Sequence, residues 1–233
     1  MSYKAIAMNP PFSADWTVTK DILYPPFEHT PPKSKADYAF IIKAFRKLDD
    51  DGKMAVVLPH GVLFRGASEG KIRKTLLENG YIDAVIGLPE KLFFGTGIPT
   101  VILVLRKQAK FKNVFFIDAS REFEKGKNQN NLTDEHIEKI IETYQNVDEI
   151  DKYSRLVAYD EILENDFNLN IPRYIDTFEE PELIDIAALY AEMQETDKEI
   201  EKVNNELAGM VRELDGDVEF VNVLKGIFKQ EVE

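Results

Sequence analysis

An α/β fold, a sheet with helices on both faces followed by a helical tail, is what this 233-residue sequence predicts. Two observations predict it. Short continuous apolar runs at 5–8, 54–58, 82–88 and 98–105 alternate with stretches of helical periodicity. Strands that are apolar throughout belong to a sheet covered on both sides. Beyond residue 180 the composition shifts to helix formers and charge, with an apolar seam at spacings of three and four. These features divide the chain into a main domain, 1–180, and a coiled-coil-like tail, 181–233.

Residues 3–8 read as the first strand. A proline-rich loop to about residue 35 follows, carrying Pro25, Pro26, Pro31 and Pro32. A loop of that length without periodicity is usually functional or disordered, and here it reads as a mobile flap, with Trp16 and Phe27 as stacking or packing residues. Residues 36–48 place Ala39, Phe40, Ile42, Ala44, Phe45 and Leu48 at helical spacing, until 49–52 breaks the pattern. Then come a strand at 54–58, a helix at 69–78, strands at 82–88 and 98–105, and an edge strand at 114–117. In the tail, Ile186, Leu189, Met193, Thr196, Ile200, Val203, Leu207, Met210 and Leu214 form four heptads, with Thr196 the polar interruption and Gly209 a weak point. Such a seam must bury itself, either on its own domain or, the preferred reading, against a partner's helix.

The chemistry concentrates at the end of the first strand, in Asn9-Pro10-Pro11-Phe12. The exocyclic amine of adenine has two hydrogens that need acceptors if its lone pair is to face an electrophilic methyl group. The Asn9 side-chain oxygen and the Pro10 carbonyl can supply both. The prolines fix the backbone and lack N–H groups, so the carbonyl can face outward rather than join a sheet ladder. Phe12 offers a flat face for a base taken out of its stack. Pro11 holds the turn.

The tetrapeptide resembles motif IV of the amino-methylating DNA methyltransferases, and further segments sharpen the likeness. Asp37-Tyr38-Ala39-Phe40, the run from Val57 to Gly66, Ile72-Arg73, Val85-Ile86-Gly87-Leu88-Pro89, Gly95-Thr96-Gly97-Ile98-Pro99-Thr100 and the run from Asn168 to Tyr174 all resemble the modification subunit of type I restriction-modification systems. The resemblance covers about residues 3–180. It implies transfer of a methyl group from S-adenosylmethionine to adenine in DNA. It also implies a Rossmann-like methyltransferase sheet, with the specificity and restriction subunits of such a system as partners. The specificity subunit is the expected occupant of the helical seam.

The family's glycine-rich turn after its first strand, and the acidic residue that takes the cofactor ribose, have no counterpart in this sequence. Gly95 and Gly97 precede a strand-like run, whereas a cofactor turn leads into a helix, so 94–97 reads as a connection between strands. The chain therefore resembles the carboxyl-terminal half of a modification subunit, opening at its fourth strand. In the strand order that the resemblance implies, 3–8 lies beside 53–58, and 98–106 lies between that strand and 81–87, antiparallel to both. Strand 3–8 is then an exposed edge, from which self-association or fraying is expected. Two function classes stay open: the catalytic half of an adenine-specific methyltransferase, or an inactive remnant that retains the partner-binding helix. The chain on its own is expected neither to bind S-adenosylmethionine nor to methylate DNA.

Charge narrows where DNA could lie. The net charge is −13, yet residues 1–110 hold 16 Lys and Arg against 11 Asp and Glu, while residues 111–233 hold 13 against 31. Only the first part suits phosphate, and its phosphate-contact candidates are Lys33, Lys35, Arg65, Lys71, Arg73 and Lys74. With no cysteine, methylation at cytosine carbon is excluded, because that reaction needs a thiol nucleophile. The same absence is compatible with the reducing cytoplasm, the expected location. His29, His60 and His136 lack metal-ligand spacing. No apolar run approaches the ~20 residues of a membrane helix, and no leader-like segment is expected.

Overall fold

The computed structural model describes residues 2–94, 96–108, 111–177 and 186–213, with the single positions 223 and 226. Two compact units divide at about residue 178. The first contains β1 (Tyr3–Met8), α1 (Asp37–Phe45), β2 (Leu48–Pro59), α2 (Ala67–Glu78), β3 (Ile82–Gly87), β4 (Thr100–Arg106), β5 (Val114–Asp118), the short hairpin β6 (Glu124–Lys125) and β7 (Asn130–Asn131), α3 (Asp134–Asn146), β8 (Ser154–Val157) and α4 (Tyr159–Glu164). The second contains α5 (Ile186–Glu213).

The main sheet runs β1-β2-β4-β3-β5-β8. β1 is parallel to β2, and β4 is antiparallel to both β2 and β3. This is the expected order. Alternate residues of the central strands enter two cores. Val85, Leu103, Leu105 and Phe116 pack with Ile41, Ile42 and Phe45 of α1 and Leu76 and Leu77 of α2. Ala84, Ile86, Val104, Phe115 and Ile117 pack with Ile140 of α3. Strands buried on both faces explain the absence of polar alternation in their sequences.

Several expectations are corrected. β5 is an interior strand, because β8 pairs antiparallel along its outer side. β2 begins at Leu48 and runs through the acidic stretch 49–52, with its pairing to β1 jumping from Tyr3↔Leu48 to Ala5↔Lys53. Gly52 permits this close approach: a Cβ there would lie 2.9 Å from the Lys4 carbonyl oxygen and from Leu48. The proline-rich loop is packed onto the domain. Phe27, 1% exposed, lies against Tyr24, Phe45 and Tyr81, and the Trp16 indole donates to the Pro32 carbonyl at 2.8 Å. Both aromatics pack rather than stand ready to stack.

α5 spans the expected heptads as far as Glu213, with Ile186, Met193, Ile200, Val203 and Met210 exposed and Ala208 and Val211 buried. Leu214 lies outside the described residues. No helix of the described residues is long and apolar enough to cross a membrane, and none of their His, Asp or Glu groups is arranged to hold a metal.

Candidate functional site

β1 delivers the tetrapeptide to the carboxyl end of the sheet. Its ladder with β2 ends at Met8↔Val56, and the next residues, Asn9 and the two prolines, leave the sheet. Two consecutive residues without N–H groups could not have continued that ladder. Asn9 and Pro11 are exposed, while Pro10 and Phe12 are half-buried.

The tetrapeptide and Ser13 form one wall of an open cleft of about 880 Å³. Phe93, Phe94, Thr96 and Ile98, from the connection between β3 and β4, form the other. The rings of Phe12 and Phe93 meet edge to face, with centroids 6.0 Å apart and planes at 86°. Phe94 is 92% exposed. The connection is thus what joins β3 to β4, as expected, but it also builds half of the cleft, which the sequence does not reveal. Gly95 lies outside the described residues.

No lining residue is ionisable; hydrogen bonding there falls to the Asn9 amide, the Ser13 and Thr96 hydroxyls and the backbone. A cleft of this kind suits a neutral aromatic ring with polar edges and provides no general base. Nor does it provide a carboxylate for a ribose or a glycine turn opening a helix.

None of the six basic candidates lines the cleft. Lys33 and Lys71 are exposed and Lys35 is half-buried. Lys74 is exposed, 3.7 Å from Glu78 and above the Phe167 ring at 5.1 Å. Arg65 lies 2.7 Å from Asp37 and 3.1 Å from Glu69, so its charge faces two carboxylates. Arg73, expected to contact phosphate, is instead 3% exposed, and its guanidinium donates to the carbonyls of Phe167, Val62 and Arg65 at 2.7, 3.1 and 2.9 Å. A group so buried and so fully used cannot reach a phosphate.

Tyr38 donates to the Val62 carbonyl at 2.8 Å, and burial pushes its phenol up to about 12. Burial also raises the Glu69 carboxyl, against the pull of Arg65, and lowers His60, against Asp118. At the opposite strand ends, Asp83 lies 2.7 Å from Arg106 and 3.2 Å from Lys53 beside a separate cavity of about 410 Å³.

Residues 1–183 match the N-6 DNA Methylase family. The chain is 39% identical over 190 residues to the methylase subunit of the type I restriction enzyme MjaVII of Methanocaldococcus jannaschii, covering 78% of this chain and 32% of that protein. It is 32% identical over 228 residues to the methylase subunit of the type I restriction enzyme MpnII of Mycoplasma pneumoniae, covering 95% of this chain and 42% of that protein. The crystal structure of a type I restriction-modification system methyltransferase subunit from Streptococcus thermophilus superposes with a TM-score of 0.72 at 53% identity, over 75% of this chain and 38% of that one. The chain thus spans 32% to 42% of the length of these relatives.

Proposed function

Because this chain belongs to the N-6 DNA methylase family, we propose that it is the base-holding part of a type I modification subunit, which methylates the exocyclic amine of adenine in DNA. One observation carries this reading. The tetrapeptide at the carboxyl end of β1 forms a wall of an uncharged, aromatic cleft large enough for a base. Asn9 and the Pro10 carbonyl accept the two amine hydrogens and leave the nitrogen lone pair free to point at the methyl donor. Phe12 stacks on the flipped ring, and the exposed Phe94 closes its other face. Holding the amine in line would let its lone pair take the methyl carbon as the donor's carbon–sulfur bond breaks, and the methylated amine would then lose a proton to solvent water.

S-adenosylmethionine is the methyl donor this reading implies, and it supplies the electrophilic carbon when bound to the complete enzyme. Its ribose and methionine contacts fall to residues beyond those in the cleft described above. Partners in the same reading are DNA, reached through exposed lysines such as Lys33 and Lys71, the specificity subunit on the α5 seam, and the restriction subunit. Self-association through the outer flank of β1 is a further proposal. The absence of a cofactor turn favours a second reading of the isolated chain, as an inactive module that retains the partner-binding helix.

Asn9→Ala in the complete methyltransferase tests the assignment. Methylation should fall by about a hundredfold or more with DNA affinity nearly unchanged, as for other positioned catalytic hydrogen bonds. Near-normal methylation would remove the reading.

A further inference from the structure

Resting on that base-holding reading, we infer that Asp37 and Arg65 are positioning residues, which aim the tetrapeptide through the residue that follows it. Ser13 sits at φ 47°, in the left-handed region that side chains other than glycine seldom adopt. Such a conformation persists only where its surroundings over-determine it. Here the determinant is a buried carboxylate. The Ser13 N–H donates to Asp37 Oδ1 at 2.8 Å, and Asp37 is 0% exposed at the first turn of α1. The second oxygen, Oδ2, receives the Arg65 guanidinium at 2.7 Å and lies 3.5 Å from the Ser13 hydroxyl. Arg65 in turn comes within 3.5 Å of that hydroxyl and 3.1 Å of Glu69.

Three separate segments therefore meet around one carboxylate: the exit of the tetrapeptide, the start of α1 and the connection into α2. Charge-assisted hydrogen bonds in a water-poor site are short and directional. Upstream, Met8 is fixed by its pairing with Val56. Between these two anchors lie Asn9, two prolines and Phe12, a stretch with little freedom. Setting φ at Ser13 therefore sets the direction in which Pro10 presents its carbonyl and Asn9 its amide. A catalytic acceptor must be placed to within about 0.5 Å, so a slack exit would cost turnover before it cost DNA binding.

The test uses Asp37→Asn and Arg65→Gln in the complete methyltransferase, with Asn9→Ala alongside, and amide hydrogen exchange at Ser13 in the chain itself. Each variant should lower kcat by about ten- to a hundredfold with KM for DNA within about twofold. Ser13 should exchange faster in Arg65→Gln. If Asp37→Asn does not fold, Arg65→Lys, which keeps the charge but not the fork, should give intermediate turnover and exchange. Variants that are merely less heat-stable, with kcat and Ser13 exchange unchanged, would overturn the inference. An inactive Asn9→Ala enzyme beside a normal Arg65→Gln enzyme sinks the positioning role alone. An active Asn9→Ala enzyme sinks the base-holding reading and this inference with it.

Discussion

Tyr38 and Arg73 converge on a single atom, the carbonyl oxygen of Val62, to which they donate at 2.8 and 3.1 Å. Through it α1 and α2 are both tied to the turn that follows β2. Arg73 binds two more carbonyls, of Arg65 and Phe167, so one side chain joins the site's surroundings to the segment near residue 167.

Arg73→Ala should therefore destabilise the domain by about 3 kcal/mol, since it strands buried carbonyls that have no water to replace the donor. Urea unfolding at neutral pH measures this. The salt dependence of DNA binding by the complete enzyme should not change, whereas a phosphate contact would lower its slope by about one. A reduced slope would return Arg73 to the DNA surface.

The aromatic residues should sort by role. Phe12→Ala and Phe94→Ala should each weaken binding of DNA with the target base flipped by about 1 to 3 kcal/mol. Phe94→Ala should change stability by no more than about 0.5 kcal/mol, because 92% of its surface already faces solvent. Phe27→Ala should instead cost about 3 to 5 kcal/mol of stability, as a core truncation does. Paired titrations and melts separate the classes, and a stable Phe27→Ala variant would contradict the packing of the loop.

Legibility followed chain proximity. The central strands could be read because the middle of each is apolar, and the tetrapeptide because its four groups are contiguous. Phe94 could not, since only the antiparallel insertion of β4 between β2 and β3 brings its turn to the cleft. Arg73 sits between Lys71 and Lys74 and looks like one more solvated charge; nothing local signals its burial. β8 is four residues long with Arg155 and Leu156 exposed, so it has no strand signature. α3 was not among the expected elements, although its signals are present: Thr133 caps the helix with His136, and Ile137, Ile140, Ile141 and Tyr144 fall at helical spacing. The start of β2 is hidden by its acidic residues, which the irregular pairing with β1 accommodates.

His60 gives a pH test. Burial holds its imidazole below the ordinary 6.5, so the fold favours the neutral ring. Its contribution to stability is full above that value and is lost as pH falls through the folded value. His60→Gln, uncharged throughout, should gain in Tm relative to the parent as pH drops from about 7.5 to about 5. A Tm difference independent of pH would show that His60 does not titrate differently on folding.

Calorimetric titration of the chain with S-adenosylmethionine should give no saturable signal at micromolar concentrations. A cleft with neither a ribose carboxylate nor a glycine turn offers little against the ~4 to 15 kcal/mol entropic cost of immobilising a ligand. A stoichiometric low-micromolar response would mean that the cleft, with the turn around Phe94, holds the cofactor after all.

Replacing Ile200 and Leu207 of α5 by Asp should abolish co-purification with the specificity subunit and leave the melting of the α/β domain nearly unchanged. Both side chains are exposed, so their loss exacts little from the fold. Unfolding of the domain would show that the helix folds back on it.

Among the described residues, β1 has a neighbour on one side only. An edge strand belongs to the less protected part of a sheet, and here Asn9 follows that strand directly. Whatever strand zips onto the free flank would act as a latch on the aim of the amide. The aim of Asn9 would then answer to what covers that flank as well as to the carboxylate behind Ser13.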